Sequence, residues 1–427
     1  MKRTPIFLST LFSMLMMTSS LFAMGVTPSK PVAEEAGPPD ESYVFPMDTF
    51  PERMEPFYSR EGTETFDVRD VTFYAHGELL TNWGSRVEWL NDHQFVFSSG
   101  HVADVYLMDV KSNEIVPLTY HFDHAGFGRA RPLANGDLLL VGPETGPAPE
   151  RDPVKLIVNN DQTGRFKGTM SILKAPYTGE PIPLGVPAWE GLAVSHHGNR
   201  VVWSDTRVSY YANNIIETGL NYLFKRSNLW TGEIKYDRNG IPYMANKRII
   251  VKKCDIGAVF LEPQDFMGLD DSKLIFTAYG ILEGSGDVFV YDFEKESIER
   301  IELLQKSYNE WEGVSHDSKS AFLEIDESAT LLTGPGNQID LYIYNFETND
   351  AVPVFKKNSD SDQSVFWHEA SFSPDGEHIL INFGDTLRGG DMNTMEMHDG
   401  FMLFDKEGLI EAAQQRNGLV TLERSDP

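Results

Sequence analysis

Short apolar runs, many alternating with polar residues, recur through the chain from Thr65 onward, and the segment 366–385 (FWHEASFSPDGEHILINFGD) shows the unit most plainly. It reads as strand, tight turn, strand. In the turn, Pro374 fixes its own φ, Asp375 can bond the backbone that follows, and Gly376 tolerates positive φ. Related phrases stand at Ser315-His316-Asp317-Ser318 before AFLEID and at Ser195-His196-His197-Gly198 before RVVWSD. Looser copies are Leu269-Asp270-Asp271-Ser272, Leu133-Ala134-Asn135-Gly136 and Leu90-Asn91-Asp92-His93, each leading into an apolar run. A second signature is a β-run closing on Asp or Asn: VYLMD (105–109), VFVYD (288–292), LYIYN (341–345) and FMLFD (401–405).

Units too small to bury their own faces, repeated in fixed order, indicate a repeat architecture. Four strands per unit and a spacing of about 45 to 70 residues predict an all-β chain, a single β-propeller of six or seven four-stranded blades over residues 63–427. The blades are expected near 86–119, 128–176, 188–253, 257–305, 309–357 and 366–410, with a short helix at 407–416. The strands FDVRDVTFY and HGELLTNW, together with GLVTLER (418–424), are expected to complete a last blade from both chain ends. Such closure removes open sheet edges. The insertion at 208–232 in blade three is long enough to be functional or to contact another subunit.

Composition narrows the function classes. With 64 acidic against 36 basic residues and a net charge of −28, nothing basic is concentrated enough for general nucleic-acid binding. Aromatic residues at 12% exclude a largely disordered chain. Cys254 is the one cysteine, so no intramolecular disulfide or cysteine-based zinc cluster can form; between two strand-like runs it is expected to be a small buried hydrophobe. Lys2 and Arg3, the apolar run 5–22 and the small residues ending at Ala23 have the layout of a secretory signal peptide, residues 1–23. A Pro- and Glu-rich leader (24–62) follows, and no later segment is apolar enough to span a membrane. The expected location is periplasmic or secreted.

In an antiparallel blade, successive connections alternate between the two faces of the disc. Sorting polar residues by that rule gathers one set on the face opposite the tight turns. His101, Arg207, Tyr210, Tyr211 and Arg388 come from second-to-third strand loops; His121, His124, Arg129, Trp189, Glu190, Glu312, His368 and Glu369 come from segments leading into a blade. Arg offers a planar fork and Tyr a flat face with a hydroxyl, so this set suits an anionic or sugar ligand. The Trp-Glu pairs also suit packing between blades, with Glu accepting backbone N–H groups. His196, His197, His316 and His378 fall in or beside the tight turns and read as surface residues. Nucleophile-elbow, phosphate-loop and zincin motifs are missing from the sequence, and a divalent cation has ligands on offer without a dedicated spacing.

The phrase SFSPDGEHILINF, its diverged copies and the strand endings on Asp resemble those of TolB-like propellers over roughly residues 86–405. That resemblance implies an exported propeller used as a binding or scaffold platform for a partner. In topology and a few positions the chain is also similar to propeller-fold polysaccharide lyases of the ulvan lyase type. There, paired histidines on neighbouring loops, with Arg and Tyr from a later blade, act on a uronic acid unit. His101 and His121 occupy comparable loop positions and Arg207 falls on the following blade, while Trp189 stands where the pattern has Tyr. The resemblance implies β-elimination on a carbohydrate polymer: Arg207 would neutralise the carboxylate, and Tyr210, Tyr211, His101 or His121 would move the protons.

Overall fold

The computed structural model describes residues 77–81, 83–99, 103–142, 168–188, 191–205, 227–280, 286–301, 303, 308–327, 339–356, 365–385 and 400–421. Six antiparallel sheets form a six-bladed propeller. After β1 (Gly77–Thr81), blade 1 holds β2–β5 (Ser85–Asn91, Gln94–Ser98, Val105–Asp109, Glu114–Pro117). Blade 2 holds β6–β9 (Arg129–Pro132, Leu138–Gly142, Gly168–Leu173, Ile182–Ala188). Blade 3 holds β10–β13 (Leu192–Val194, Arg200–Ser204, Leu229–Tyr236, Pro242–Val251). Blade 4 holds β14–β17 (Phe260–Met267, Lys273–Tyr279, Gly286–Asp292, Ser297–Ile301). Blade 5 holds β18–β21 (Tyr308–Val314, Ser320–Asp326, Asp340–Asn345, Asp350–Phe355), and blade 6 holds β22–β24 (Val365–Phe372, His378–Asp385, Gly400–Asp405).

The middle strands read as unbroken apolar runs because both faces of a blade are covered by its neighbours. Every residue of β3, β4 and β7 is buried, whereas β17 on an outer edge is largely exposed. The core lies between blades. Phe322 of blade 5 stacks on Phe372 of blade 6 at 4.2 Å between ring centroids, and Phe355 stacks on Trp367 at 4.0 Å. Phe95 of blade 1 meets Phe401 of blade 6 edge-on at 5.7 Å, which seals the last interface. The tight turns form as their residues dictate. Gly376 sits at φ +75°, and Ser373 Oγ donates to Asp375 at 2.5 Å, a bond repeated from Ser315 to Asp317 at 2.6 Å.

Closure differs from the sequence expectation. β1 pairs with β24 and becomes the outer strand of blade 6, so the N-terminal side closes the ring. The C-terminal strand β25 (Val420–Thr421) does not join it; it pairs with β21 on the outer edge of blade 5. The reason is α2 (Lys406–Asn417), where the expected helix forms: Asp405 caps Gly408 N–H, and buried Leu409 and Ala413 carry the chain back across blade 5. Blade 2 runs on to Ala188, past its expected end at 176. Cys254 is exposed, not buried, because it lies in α1 (Lys253–Ile256), a single helical turn with no buried residue. Residues 1–62 and FDVRDVTFY (66–74) lie outside the described residues.

The inner strands of blades 1, 4, 5 and 6 each carry an irregularity in register, at Ser85/Glu88, Pro263/Asp265, Trp311/Val314 and His368/Ala370. A bulge bends a strand and redirects a side chain. Here the skipped positions include Arg86, Gln264, Glu312 and Glu369, which enter the polar network at the centre of the ring.

Candidate functional site at the mouth of the central channel

A cavity of about 450 Å³ opens on the face of the tight turns, and all six blades line it. Turn residues such as Asp92, His197 and Asp375 form its rim, while Glu88, Arg131, His196, Asp265 and His316 furnish its wall. A concave site fed by several elements, mixing polar and apolar groups, is where a small-molecule or saccharide ligand usually binds.

Blade 3 presents its histidines through a turn that blade 4 holds. Buried Asp271 accepts the Ser195 hydroxyl at 2.5 Å and the His197 N–H at 3.0 Å, and its own carbonyl accepts from Arg200 at 3.2 Å. The His196 ring then reaches Asp265, with Nε2 3.0 Å from Oδ1. Burial alone would push the His196 imidazole down, but the Asp265 carboxylate beside it, with Asp271 behind, raises it to about 9. In turn His196 holds the Asp265 carboxyl below its ordinary value despite burial. His316, from the same turn position in blade 5, lies edge-on to His196 with ring centroids 4.5 Å apart. Burial and then the His196 cation push His316 down to about 4. Two imidazoles in contact therefore divide the roles near neutral pH, one charged and one neutral.

Deeper in the channel the network is ionic. Arg131 binds Glu88 at 2.6 Å, and Arg129 stands 3.9 Å from the same carboxylate. Arg86 pairs with Glu369 at 3.2 Å, and the Arg86 N–H also donates to Glu369 at 2.9 Å. In blade 5, Glu310, Glu312 and Glu324 bring ligand oxygens within 4.8 Å of one another, an arrangement able to hold a cation. Gln264 and Tyr279 of blade 4 donate to Glu310, and Tyr279 also lies 3.0 Å from Glu262. Burial and the neighbouring carboxylates push Glu310 and Glu312 well above the ordinary range. Burial raises Glu324 to about 8, opposed by the Glu369 N–H it accepts and aided by the Glu369 charge.

The structure separates the residues singled out in the sequence. His121 is exposed, with Nε2 donating to the Gly179 carbonyl at 2.9 Å. His124 is built into its own blade: Nε2 meets Asp104 at 2.9 Å, Nδ1 accepts the Gly126 N–H, and the ring stacks on Phe127 at 4.7 Å. Arg129, Glu312 and Glu369 belong to the channel network. His368 lies in β22, with its side chain outside the described residues. His101, Trp189, Glu190, Arg207, Tyr210, Tyr211 and Arg388 also lie outside them. Trp311 and Trp367 are buried, the packing role open to the Trp-Glu pairs.

His196 and His316, read as surface residues of turns, are partly buried in the cavity wall, because the His196 ring pairs with Asp265 of blade 4 and the His316 ring packs against it. The available signal was the repeat itself: both turns carry Ser-His at the same position, where the SPDG copy has Ser-Pro.

No family model matches the sequence, and no curated protein matches it. Solved structures similar in fold include an oligogalacturonate lyase in complex with manganese (8% identity, TM-score 0.43, covering 77% of this chain and 92% of that one). Another is a TolB homologue from Agrobacterium tumefaciens (12% identity, TM-score 0.43, 71% and 91%). A third is an oligogalacturonate lyase from Vibrio parahaemolyticus (11% identity, TM-score 0.41, 77% and 93%). At these identities the likeness concerns the propeller fold alone.

Proposed function

We propose that this propeller is an exported polysaccharide lyase that cleaves a uronic-acid-containing saccharide by β-elimination, at the mouth of the central channel. The observation that carries the reading is the His196–His316 pair: two imidazoles in contact, in a cavity of about 450 Å³, with their proton affinities driven apart. Paired titratable groups with opposed environments are the mark of an acid and a base. Neutral His316 takes the proton from the carbon next to the uronate carboxyl. A carbon–carbon double bond forms as the glycosidic carbon–oxygen bond breaks, and His196 protonates the leaving oxygen. The product leaves a proton on His316 and none on His196, and exchange with solvent at the cavity mouth resets both. Arg131 and His197 are the cavity groups able to take the carboxylate, whose neutralisation lowers the pKa of the adjacent C–H.

The test is ultraviolet absorbance of the unsaturated uronate product from mature protein mixed with a panel of uronic-acid saccharides. Activity should appear on at least one substrate and fall by about 10²-fold or more in His316→Gln and in His196→Gln. A signal that survives both substitutions would place the chemistry elsewhere. One observation favours a second reading, a non-catalytic TolB-like binding platform: Arg131 and His196 are already paired with Glu88 and Asp265. Saccharide binding without product, in folded protein with and without divalent metal, would select it. Export is checked separately, by fractionation of cells expressing the full chain.

A further inference from the structure

The outer hairpin of blade 3 carries a charge opposite to that of the molecule. Between Lys235 and Lys253 stand six cations (Lys235, Arg238, Lys247, Arg248, Lys252, Lys253) and one anion, Asp237, in a chain whose net charge is −28. Lys235 pairs with Glu233 at 3.2 Å, and Arg248 pairs with Glu296 of blade 4 at 3.0 Å. Lys253 donates to the Val259 carbonyl. Arg238, Lys247 and Lys252 are exposed and make no salt bridge among the described residues.

The cations follow the outer edge of the blade: Arg238 in the turn before β13, Lys247 and Arg248 on it, and Lys252 just past its end. β13 is the outermost strand of its sheet, and its ten residues at ~3.3 Å each span roughly 33 Å. An irregularity opposite Thr231/Glu233, with Asn246 at φ +52°, turns the strand at Lys247. The hairpin is braced against blade 2, where Tyr236 donates to Asp137 at 2.5 Å and Lys174 donates to the Gly240 carbonyl at 3.1 Å. Its turn, Asp237–Ile241, connects third and fourth strands and so lies on the face where the cavity opens. A second cavity of about 470 Å³, lined by Arg200 and Lys235 and by Glu233, Asp270 and Asp271, shares Ser195 and His197 with the first, so the cationic strip ends at the rim and the cavity itself is mixed in charge.

We infer that the outer hairpin of blade 3 is a docking strip for an anionic polysaccharide chain, held by Arg238, Lys247 and Lys252 and leading into the cavity. The choice of polymer rests on the proposed uronate reading, and the binding surface itself rests on charge complementarity. A strongly acidic protein repels a polyanion over most of its surface, so a braced, solvent-facing row of cations selects where the chain lies. The fixed strand geometry suits a ligand with charges repeated along its length.

The experiment is affinity electrophoresis of the full chain through gels holding alginate or polygalacturonate, with neutral dextran as control. Arg238→Gln/Lys247→Gln/Lys252→Gln is compared with Lys247→Arg/Lys252→Arg. The wild type and the Arg variant should be retarded by the uronate polymers and not by dextran, and the retardation should fade with salt. The triple Gln variant should bind about tenfold more weakly while its turnover of short oligosaccharides stays unchanged. Equal retardation of the triple Gln variant would overturn the inference, whether or not that variant self-associates through an unguarded edge. Binding to anionic lipid vesicles in place of the polymers would also overturn it. Polymer retention without lyase activity defeats only the catalytic reading; turnover of oligosaccharides without polymer retention defeats only the docking strip.

Discussion

His196 and His316 occupy the same position in two copies of one repeat, yet their protonation preferences lie on opposite sides of the ordinary imidazole. The difference is one carboxylate. Asp265 stands 3.0 Å from His196 and overcomes its burial, whereas at His316 burial and the His196 cation outweigh the weaker pull of Asp265 and Asp271. Removing that carboxylate should therefore move both groups. In Asp265→Asn, burial prevails over the weaker remaining attraction of Asp271, so His196 falls from about 9. With the His196 cation gone at neutral pH, His316 rises from about 4. In the wild type the rate should fall below about pH 4, where His316 is protonated, and above about pH 9, where His196 loses its proton. The bell should narrow from both sides in Asp265→Asn. Proton NMR titration of the imidazole resonances reads the same two shifts without substrate; a variant whose two values stay apart would show that Asp265 does not set them.

At the scale of elements, the C-terminal helix and strand act as a strap across blade 5. Leu409 is 1% exposed within the cluster of Phe355, Trp367 and Phe404, and Asn417 donates to the Pro353 carbonyl at 2.7 Å. Leu409→Ala should cost roughly 2–5 kcal/mol, seen as a lower midpoint in chemical denaturation with an unchanged slope. An unchanged midpoint would mean that the helix is a loosely held appendage. The strap also marks where sequence reading stopped. Turn chemistry such as Ser373-Pro374-Asp375-Gly376 and the apolar middle strands are local signals, and they disclosed the blades and α2. Which edge the last strand would join depends on the path of α2, a tertiary fact. The same limit applies to the inner strands. Trp311-Glu312 and Trp367-His368-Glu369 were visible in the sequence, but the register irregularities at Arg86, Gln264, Glu312 and Glu369 have no local signature. Alternation of connections is a sound rule, and it sorted the turn histidines onto one face. It could not tell that His196 reaches Asp265 and draws His316 against it.

For the molecule as a whole, the central channel concentrates carboxyl groups where solvent does not screen them, and this fixes how stability must depend on pH. Glu324 is 3% exposed and raised from 4.5 to about 8, so between those values the folded chain holds a proton that the unfolded chain has released. Stability then falls as pH rises through that window, because the folded state binds more protons there. Glu310 and Glu312 shift in the same direction and add to the slope. His196 contributes with the same sign. Its folded value near 9 lies above the unfolded 6.5, so its stabilisation is complete below the unfolded value and lost as pH rises through the folded one. His316, held near 4, works the other way up to its unfolded 6.5, so the thermal midpoint should drop from there to pH 9, with Glu324 alone accounting for on the order of a few kcal/mol. Glu324→Gln keeps a carbonyl oxygen for the Glu369 N–H and removes the ionisable group. Its midpoint should match the wild type near pH 5, exceed it above pH 8 and show a shallower decline between. Calorimetric scans of both proteins across that range decide the matter. Parallel curves would mean that the channel carboxylates ionise in the folded state without penalty, through a bound cation or hydration that offsets their burial.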